Sequence, residues 1–358
     1  MHMDNSARDA RLAAVHQQLE AAVGDLVTGE DWKRAMTFAA QFRSRSFNNT
    51  MLIWAQHAHA HEEGRVPEPT PTYVAGFKQW LSLGRAVMKG QSGYAILAPV
   101  SARYASATPA DAESWRRLTN GEKPKSGETV RSKLVGVKPT YVWDVSQTSG
   151  DPLPELPRPA LLQGEAPEGL WDGLADQITA AGYELRLVSN AAAIGGANGL
   201  TDFIRREVSI RVDMDDAAQA KTLAHELGHV LLHAPNDSVE GALLAVAADA
   251  VTHRGVAEVE AESAALMIGA AHGLDTTSYT VPYVSTWASS VEGKTPVEVV
   301  QATAERVRAT AIGVLDKLTT PKVGDGNPPG LDRESLATQH RRSGVQTAAR
   351  RHVEVRGI

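Results

Sequence analysis

The stretch KTLAHELGHVLLH, residues 221–233, carries the residue types of a metal-dependent hydrolase. On a helix, His225 and His229 are four residues apart and therefore share one face. Glu226 is turned about 100° from His225, so its carboxylate can reach a water on the same metal ion. The pattern predicts a zinc site in which the two histidines bind the metal and Glu226 acts as the catalytic base that takes a proton from the attacking water.

The third metal ligand must come from elsewhere in the chain. Pro235 occupies the position six residues after His229, which excludes a ligand histidine there. His233 continues the same face, but successive turns rise about 5.4 Å, so three histidines in line cannot easily close on one ion. We expect His233 to complement the helix dipole instead. The downstream stretch AEVEAESAALMIG, residues 257–269, offers three acids, Glu258, Glu260 and Glu262.

Two of these acids share one face of the predicted helix. Glu258 and Glu262 are four residues apart, whereas Glu260 faces roughly the other way, so its substitution is expected to do little. The spacing E-x-x-x-E resembles the second motif of gluzincin peptidases, in which the first acid binds metal and the other orients a ligand histidine. That resemblance implies Glu258 as ligand and Glu262 as its supporter. An exchange of the two roles, or a merely solvated acidic face, stays open.

Composition narrows the chemistry further. The chain of 358 residues contains no cysteine, which excludes disulfides, thiolate zinc sites and cysteine nucleophiles. Any metal must therefore be held by histidine and carboxylate. No run approaches the roughly 18 apolar residues of a membrane span, and the first ten residues are polar, so we expect a cytoplasmic protein without a membrane partner.

Charge and proline content divide the chain into three predicted segments. The net charge is +4 over residues 1–150, −13 over residues 151–318 and +3 over residues 319–358. The Pro-rich stretch GDPLPELPRP separates the first two, which predicts domains at 1–155 and 160–318. Glycines, prolines and arginines without periodicity predict a flexible basic tail over 319–358.

The periodicity predicts a mixture of helices and strands in both domains, an α+β fold. In the first domain, one helical stretch runs from Trp32 to about Gln56, and two later stretches read as strands. In the second domain, residues 183–188 and 207–213 alternate as half-buried strands, forming a small sheet. A helix then begins at Asp215 and Asp216 and carries HELGH to His233. Thr295 and Glu298 form the capping box of a further helix.

Basic and aromatic residues alternate through the first domain. Single strands of nucleic acid bind to basic grooves that contain aromatic platforms for the bases. The aromatic candidates are Phe47, Phe77, Trp80 and Tyr94, although Trp80 is expected to be buried. The predicted DNA contacts are Arg43, Arg45, Lys78, Arg85 and Lys89.

Three runs in this domain resemble a known family. They are FRSRSFNNTMLIWAQ, TYVAGFKQWLSLGRAVMKGQSGYAILAPV and YVWDVSQTSGDPLPE, and they resemble the N-terminal domain of ArdC-type antirestriction proteins. This resemblance implies a partner, single-stranded DNA. The second domain, from about residue 180 to 290, resembles the zincin-like ImmA/IrrE metallopeptidases through HELGH and E-x-x-A-E. It differs from them in carrying Glu262 where many have asparagine.

The leading hypothesis is therefore a single-stranded-DNA-binding antirestriction-type protein of a phage or mobile element that carries a zinc metallopeptidase domain of gluzincin type. Its second expected partner is a protein or peptide substrate. One alternative is a DNA-protection module whose metal is only structural. Another is a regulatory peptidase of the ImmA/IrrE type that cleaves a repressor, with the first half docking protein. Salt-dependent binding to single-stranded DNA distinguishes the repressor-cleaving alternative from the others. Peptide turnover distinguishes the alternative in which the metal is only structural.

Overall fold

The structure, a computed structural model, describes residues 2–153, 164–235 and 240–331, apart from residues 278, 280, 283, 290 and 292. For residues 2–8, 240–254, 285 and 286 the backbone alone is described. The described residues form an α+β fold with helices and small sheets, which confirms the predicted class. Within them, no helix has the length and apolar character needed to cross a membrane.

The chain begins with α1 (His2–Gly24), α2 (Gly29–Gln41) and α3 (Phe47–Glu62). The single helix predicted from Trp32 to Gln56 is instead divided between α2 and α3. The division has a local cause, because the Ser46 side chain caps α3 by accepting from the backbone N–H of Asn49. Thr28 and Asp31 form a capping box that starts α2, so both helices have defined beginnings.

A long antiparallel ribbon follows these helices. Strands β3 (Tyr94–Ser106) and β5 (Thr129–Asp144) pair along their whole length, with a register shift between Val100 and Ser101. The ribbon is flanked by β1 (Val74–Ala75) and β4 (Arg116–Arg117), in the order β1-β5-β3-β4. The other elements of this region are α4 (Phe77–Ser82), β2 (Arg85–Val87) and β6 (Thr148–Gly150), with β2 and β6 paired.

The second half places a three-stranded sheet beside a group of helices. Strand β7 (Glu184–Val188) pairs parallel with β9 (Glu207–Arg211), and β8 (Gly199–Asp202) pairs antiparallel with the other side of β9. The helices are α5 (Leu170–Ala180), α6 (Asp216–His233), α7 (Glu240–Ala271), α8 (Val284–Ala288) and α9 (Pro296–Leu315). The predicted strands and the predicted helix through HELGH are confirmed. The capping box at Thr295 is also present.

One hydrophobic core runs through both halves of the chain. It contains residues of α1, α2 and α3 together with residues of α5, α6, α7 and α9. Buried Trp32 of α2 donates its indole N–H to Ser263 Oγ of α7 over 2.8 Å, and its ring packs edge-on against Trp287. A Cβ at Gly29 would lie 1.8 Å from the Val281 carbonyl oxygen, so glycine permits this approach. The boundary predicted between residues 155 and 160 lies outside the described residues, and the halves on either side share this core.

The segment predicted as a flexible tail starts with a packed stretch. Val323 N–H donates to the Ala271 carbonyl over 2.8 Å, and Val74 N–H donates to the Gly326 carbonyl over 2.8 Å. Thr320 is buried. The prediction is therefore wrong for residues 319–331, because their backbone finds partners in α7 and β1, which a composition argument cannot detect. Residues 332–358 lie outside the described part of the chain.

The shared core predicts energetic coupling between Trp32 and Ser263. Trp32→Phe and Ser263→Ala should each lower the free energy of unfolding by about 1–2 kcal/mol, because each leaves a buried polar partner unpaired. The double variant should lose less than the sum, with a coupling of about 1 kcal/mol in urea unfolding. Trp32→Phe combined with Ser209→Ala, a buried hydroxyl in β9, is the matched control and should be additive. Additivity of the first pair would contradict the shared core.

Candidate metal centre

Helix α6 presents its histidines toward a common point. The Asp215 side chain accepts from the Ala218 N–H and starts the helix, as the sequence predicts. One turn apart on this helix, His225 Nε2 and His229 Nε2 lie 3.1 Å from each other. Leu223 and Leu227 are fully buried on the core side, which fixes the rotation of the helix.

Helix α7 supplies the acidic residues. Glu258 Oε2 lies 3.6 Å from His225 Nε2 and 3.7 Å from His229 Nε2. These three residues offer ligand atoms that all lie within 4.8 Å of one another. A small open pocket at this point is lined by His225, Glu258, Val259, Glu262 and Pro282. Solvent therefore reaches the position where the three side chains converge.

Glu262 takes a different place from Glu258. Its Oε2 accepts from His225 Nδ1 over 3.0 Å, on the side of the ring away from the convergence point. Its Oε1 lies 3.3 Å from Lys221 Nζ, which itself stacks over the Tyr279 ring. The structure thus puts Glu258 among the converging atoms and Glu262 behind a histidine, the arrangement implied by the gluzincin resemblance.

Glu226 is held against the small sheet. Its side chain is nearly buried, at 5% exposure, and its Oε2 accepts from Thr201 Oγ1 of β8 over 2.7 Å. A Cβ at Gly199 would lie 2.6 Å from Glu226 Oε1, so the absence of a side chain there makes room for the carboxylate. Sequence reasoning missed Thr201, because its contact with Glu226 depends on how β8 packs against α6.

His233 and Glu260 take part in hydrogen bonds at the candidate metal centre that their positions in the sequence do not indicate. His233 Nδ1 lies 3.1 Å from His229 Nδ1, and its Nε2 donates to Glu260 Oε2 over 3.0 Å. Glu260 is 1% exposed and also accepts from Arg306 of α9. These contacts argue against the expectation that substitution of Glu260 does little. Glu260 does point away from His225, but the next turn of α6 brings His233 to it.

The five predicted DNA contacts fall into two groups. Three of them hold the fold together through backbone carbonyls: Arg43 donates to Val323 and Gly324, Arg45 to Val74, and Arg85 to Thr148 and Asp151. The prediction placed these guanidinium groups on phosphates, whereas their hydrogen bonds are directed into the protein. Lys78 and Lys89 are exposed.

Exposed aromatic side chains lie in the same region, because Phe77 precedes Lys78 in α4 and the Trp143 indole N–H donates to the carbonyl of Gln91, which follows Lys89 closely in the chain. Phe77 and Tyr141 are 48% and 46% exposed, and the Phe77 ring stands edge-on to Trp143 with centroids 6.1 Å apart. A Cβ at Gly93 would lie 2.7 Å from the Trp143 ring and 3.1 Å from Tyr141 Cβ, so both aromatics flank the same glycine. We call Phe77, Tyr141, Trp143, Lys78 and Lys89 the aromatic patch. Trp80 and Tyr94, by contrast, are buried.

A second basic surface lies toward the far end of the ribbon. Tyr104 pairs with Arg117 on one side and Arg131 on the other, so these three side chains share a face. The Arg131 guanidinium lies 3.8 Å from the centroid of the Trp115 ring. Exposed Lys133 follows on the same face two residues later. The sequence analysis missed this surface because it emerges only from strand register.

A family match covers the first part of the chain. Residues 6–143 match a family model described as the N-terminal domain of anti-restriction factor ArdC. This match confirms the resemblance predicted for the first domain, and it leaves the second half outside the matched range. The metal-centre helices α6 and α7 therefore lie outside this family match.

The chain is also similar to an uncharacterized protein of Bacillus anthracis, with 24% identity over 313 residues, 80% of this chain. It spans about half, 48%, of that curated relative. The crystal structure of metal-free antirestriction ArdC protein from R388 plasmid is 18% identical, with a TM-score of 0.43 over 76% of this chain and 84% of the other. Its Mn(II)-bound structure is also 18% identical, with a TM-score of 0.42 over 76% and 88%.

Electrostatics at the centre predict a pH dependence of the metal-free protein. Burial opposes the charge of His225, but contacts with Glu258 and Glu262 raise its pKa from 6.5 to about 9. Contacts with the histidines hold the pKa of Glu258 well below its usual range. A raised folded-state pKa contributes stability that is fully present below pH 6.5 and is lost as the pH rises through about 9.

The prediction is tested by thermal unfolding in the presence of a chelator. The midpoint of wild type should exceed that of His225→Gln most below pH 6.5, and the difference should shrink as the pH rises to 9. His59→Gln, which changes an exposed histidine, is the control and should follow the wild-type pH profile. A difference between wild type and His225→Gln that stays constant across this range would count against the charged His225–Glu258 arrangement.

Proposed function

We propose that this chain is an antirestriction-type protein that binds single-stranded DNA through its first half and carries a zinc-dependent peptidase centre in its second half. The observation that carries the peptidase proposal is the convergence of His225 Nε2, His229 Nε2 and a Glu258 carboxylate oxygen beside an open pocket. The family match of residues 6–143 supports the DNA-binding and antirestriction proposal.

The donor set fits a metal of the zinc class. Two imidazoles and one carboxylate make three protein ligands, which leaves a fourth position open, as catalytic zinc sites do. The Nδ1 atoms of both imidazoles already have partners in Glu262 and His233, so their Nε2 atoms are the ones that would bind an ion. Imidazole and carboxylate ligands also accept other divalent metals such as Mn²⁺.

A bound zinc ion would supply Lewis acidity that lowers the pKa of a water toward ~7 and polarises a peptide carbonyl. Glu226 is the base that accepts the proton of the attacking water and passes it to the departing amine. Thr201 and the room left by Gly199 hold this carboxylate in place. Strand β8 is at the edge of its sheet, so an extended peptide can add to it through main-chain hydrogen bonds.

The peptidase proposal predicts separate effects on metal and turnover. Glu226→Gln should keep its zinc but lose about 10²-fold or more in cleavage of unfolded casein or a peptide library, because the base is removed. His225→Ala should lose both zinc and cleavage, and Glu184→Gln, an exposed acid on β7, should lose neither. Zinc by mass spectrometry and cleavage by peptide mapping, with and without single-stranded DNA, give the readouts. Wild type that holds zinc and cleaves nothing would favour a structural metal.

The aromatic patch is the surface that we assign to the single strand. Exposed Phe77 and Tyr141 offer faces on which bases can stack, and Lys78 and Lys89 supply phosphate contacts beside them. Bases are available for stacking in single strands but are already stacked in a duplex. Binding should therefore prefer single strands.

Substitutions in the patch test this assignment by fluorescence anisotropy with a labelled oligothymidine. Tyr141→Ala should weaken binding by about 1–3 kcal/mol, the usual contribution of one stacked base. Lys89→Gln should reduce the slope of log affinity against log salt by about 0.7, the loss of one phosphate contact on a single strand. Lys133→Gln, on the far part of the ribbon, is the matched control. If Lys133→Gln flattens the slope and Lys89→Gln does not, the binding surface is the ribbon face instead.

A further inference from the structure

The two histidines of the candidate metal centre are supported in different ways. His225 donates its Nδ1 proton directly to the Glu262 carboxylate. His229 has no carboxylate in that position, because its Nδ1 faces His233 Nδ1 at 3.1 Å. The carboxylate instead contacts the next histidine, because Glu260 Oε2 lies 3.0 Å from His233 Nε2. Arg306 donates to the other oxygen of Glu260.

With both imidazoles neutral, the hydrogen bonds that link Glu260, His233 and His229 are consistent with one order of protons. The Glu260 carboxylate, bonded to the Arg306 cation, only accepts, so His233 Nε2 is the donor. A neutral imidazole carries one N–H, which leaves His233 Nδ1 as an acceptor. His229 Nδ1 must then donate to it. The remaining nitrogen, His229 Nε2, carries a lone pair and faces the point where Glu258 and His225 converge.

We infer that Glu260 sets, through His233, the tautomer of His229 that a metal ion requires. Glu260 and His233 are positioning residues, since neither lies among the converging ligand atoms. The inference deepens the proposed function, because it rests on the metal site proposed there. It also accounts for the burial of Glu260, since a carboxylate at 1% exposure is costly unless its hydrogen bonds are used.

Glu260→Gln tests the order of protons without changing the size of the side chain. Arg306 is a donor only, so the Gln amide must turn its oxygen toward Arg306 and its NH₂ toward His233. His233 Nε2 then accepts, His233 Nδ1 donates, and His229 is left with its proton on Nε2. Zinc affinity, measured by competition with a chromophoric chelator, should fall about 10–100-fold, as it does when a hydrogen-bond partner of a ligand histidine is lost.

Imidazole ¹⁵N spectra of the metal-free protein report the tautomers themselves, which a loss of stability alone would not change. Wild type should show His229 protonated on Nδ1 and His233 on Nε2, and Glu260→Gln should reverse both. His233→Asn should retain affinity close to wild type, because its amide oxygen can accept from His229, whereas His233→Leu should lose it. Ser263→Ala, a buried change on α7 that removes the bond to Trp32, is the control and should leave affinity and tautomers unchanged.

The outcomes separate this inference from the metal site on which it rests. A wild-type protein that binds no zinc, or His225→Ala that binds it as well as wild type, would overturn both. If wild type binds zinc and His225→Ala does not, but His229 is protonated on Nε2 in metal-free wild type, the inference fails and the site stands. The inference also fails, and the site stands, if both Glu260→Gln and His233→Leu bind zinc as tightly as wild type.

Discussion

The close packing of α6 on α7 is the contact on which the candidate metal centre depends. A Cβ at Gly228 would lie 3.1 Å from Ala261 Cα and 3.3 Å from the Ala261 carbonyl oxygen, so the absence of a side chain at Gly228 permits a close approach of the two helices. Ala264 and Ala265 continue this buried surface of small residues. The short distance between the helices lets the Glu258 carboxylate reach two imidazoles. It also lets Glu262 and Glu260 accept hydrogen bonds from histidine rings. Larger residues here would separate the histidines from their carboxylates.

Helix α7 also joins the two halves of the chain. It carries Ser263, which accepts the Trp32 indole N–H, and it also carries Glu258, Glu262 and, on a different face, the buried Glu260. Its C-terminal end accepts from Val323 through the Ala271 carbonyl. A displacement of α7 would therefore require repacking of α2 and of residues 319–331 as well as the metal centre. The candidate catalytic centre is therefore attached to a core that both halves of the chain share.

Local periodicity was sufficient to predict much of the centre. The spacing of His225 and His229, the cap at Asp215 and the shared face of Glu258 and Glu262 all follow from helix geometry, and the structure has them in those places. The partners that the sequence did not indicate are long-range ones. Arg43 bonds to carbonyls some 280 residues away, and Arg306 reaches Glu260 from another helix. Charge alone cannot distinguish an arginine that binds DNA from one that closes a loop.

X-ray absorption at the zinc edge of the zinc-loaded full chain would test the account most directly. We predict two imidazole nitrogens at about 2.0–2.1 Å and carboxylate or water oxygen at about 2.0–2.2 Å, the distances of such ligands in zinc sites. Glu258→Ala should change the oxygen shell and leave the two imidazoles in place. Three imidazoles around the ion would contradict the account, since they would make His233 a ligand rather than the partner of His229. An ion with no imidazole would contradict the site altogether.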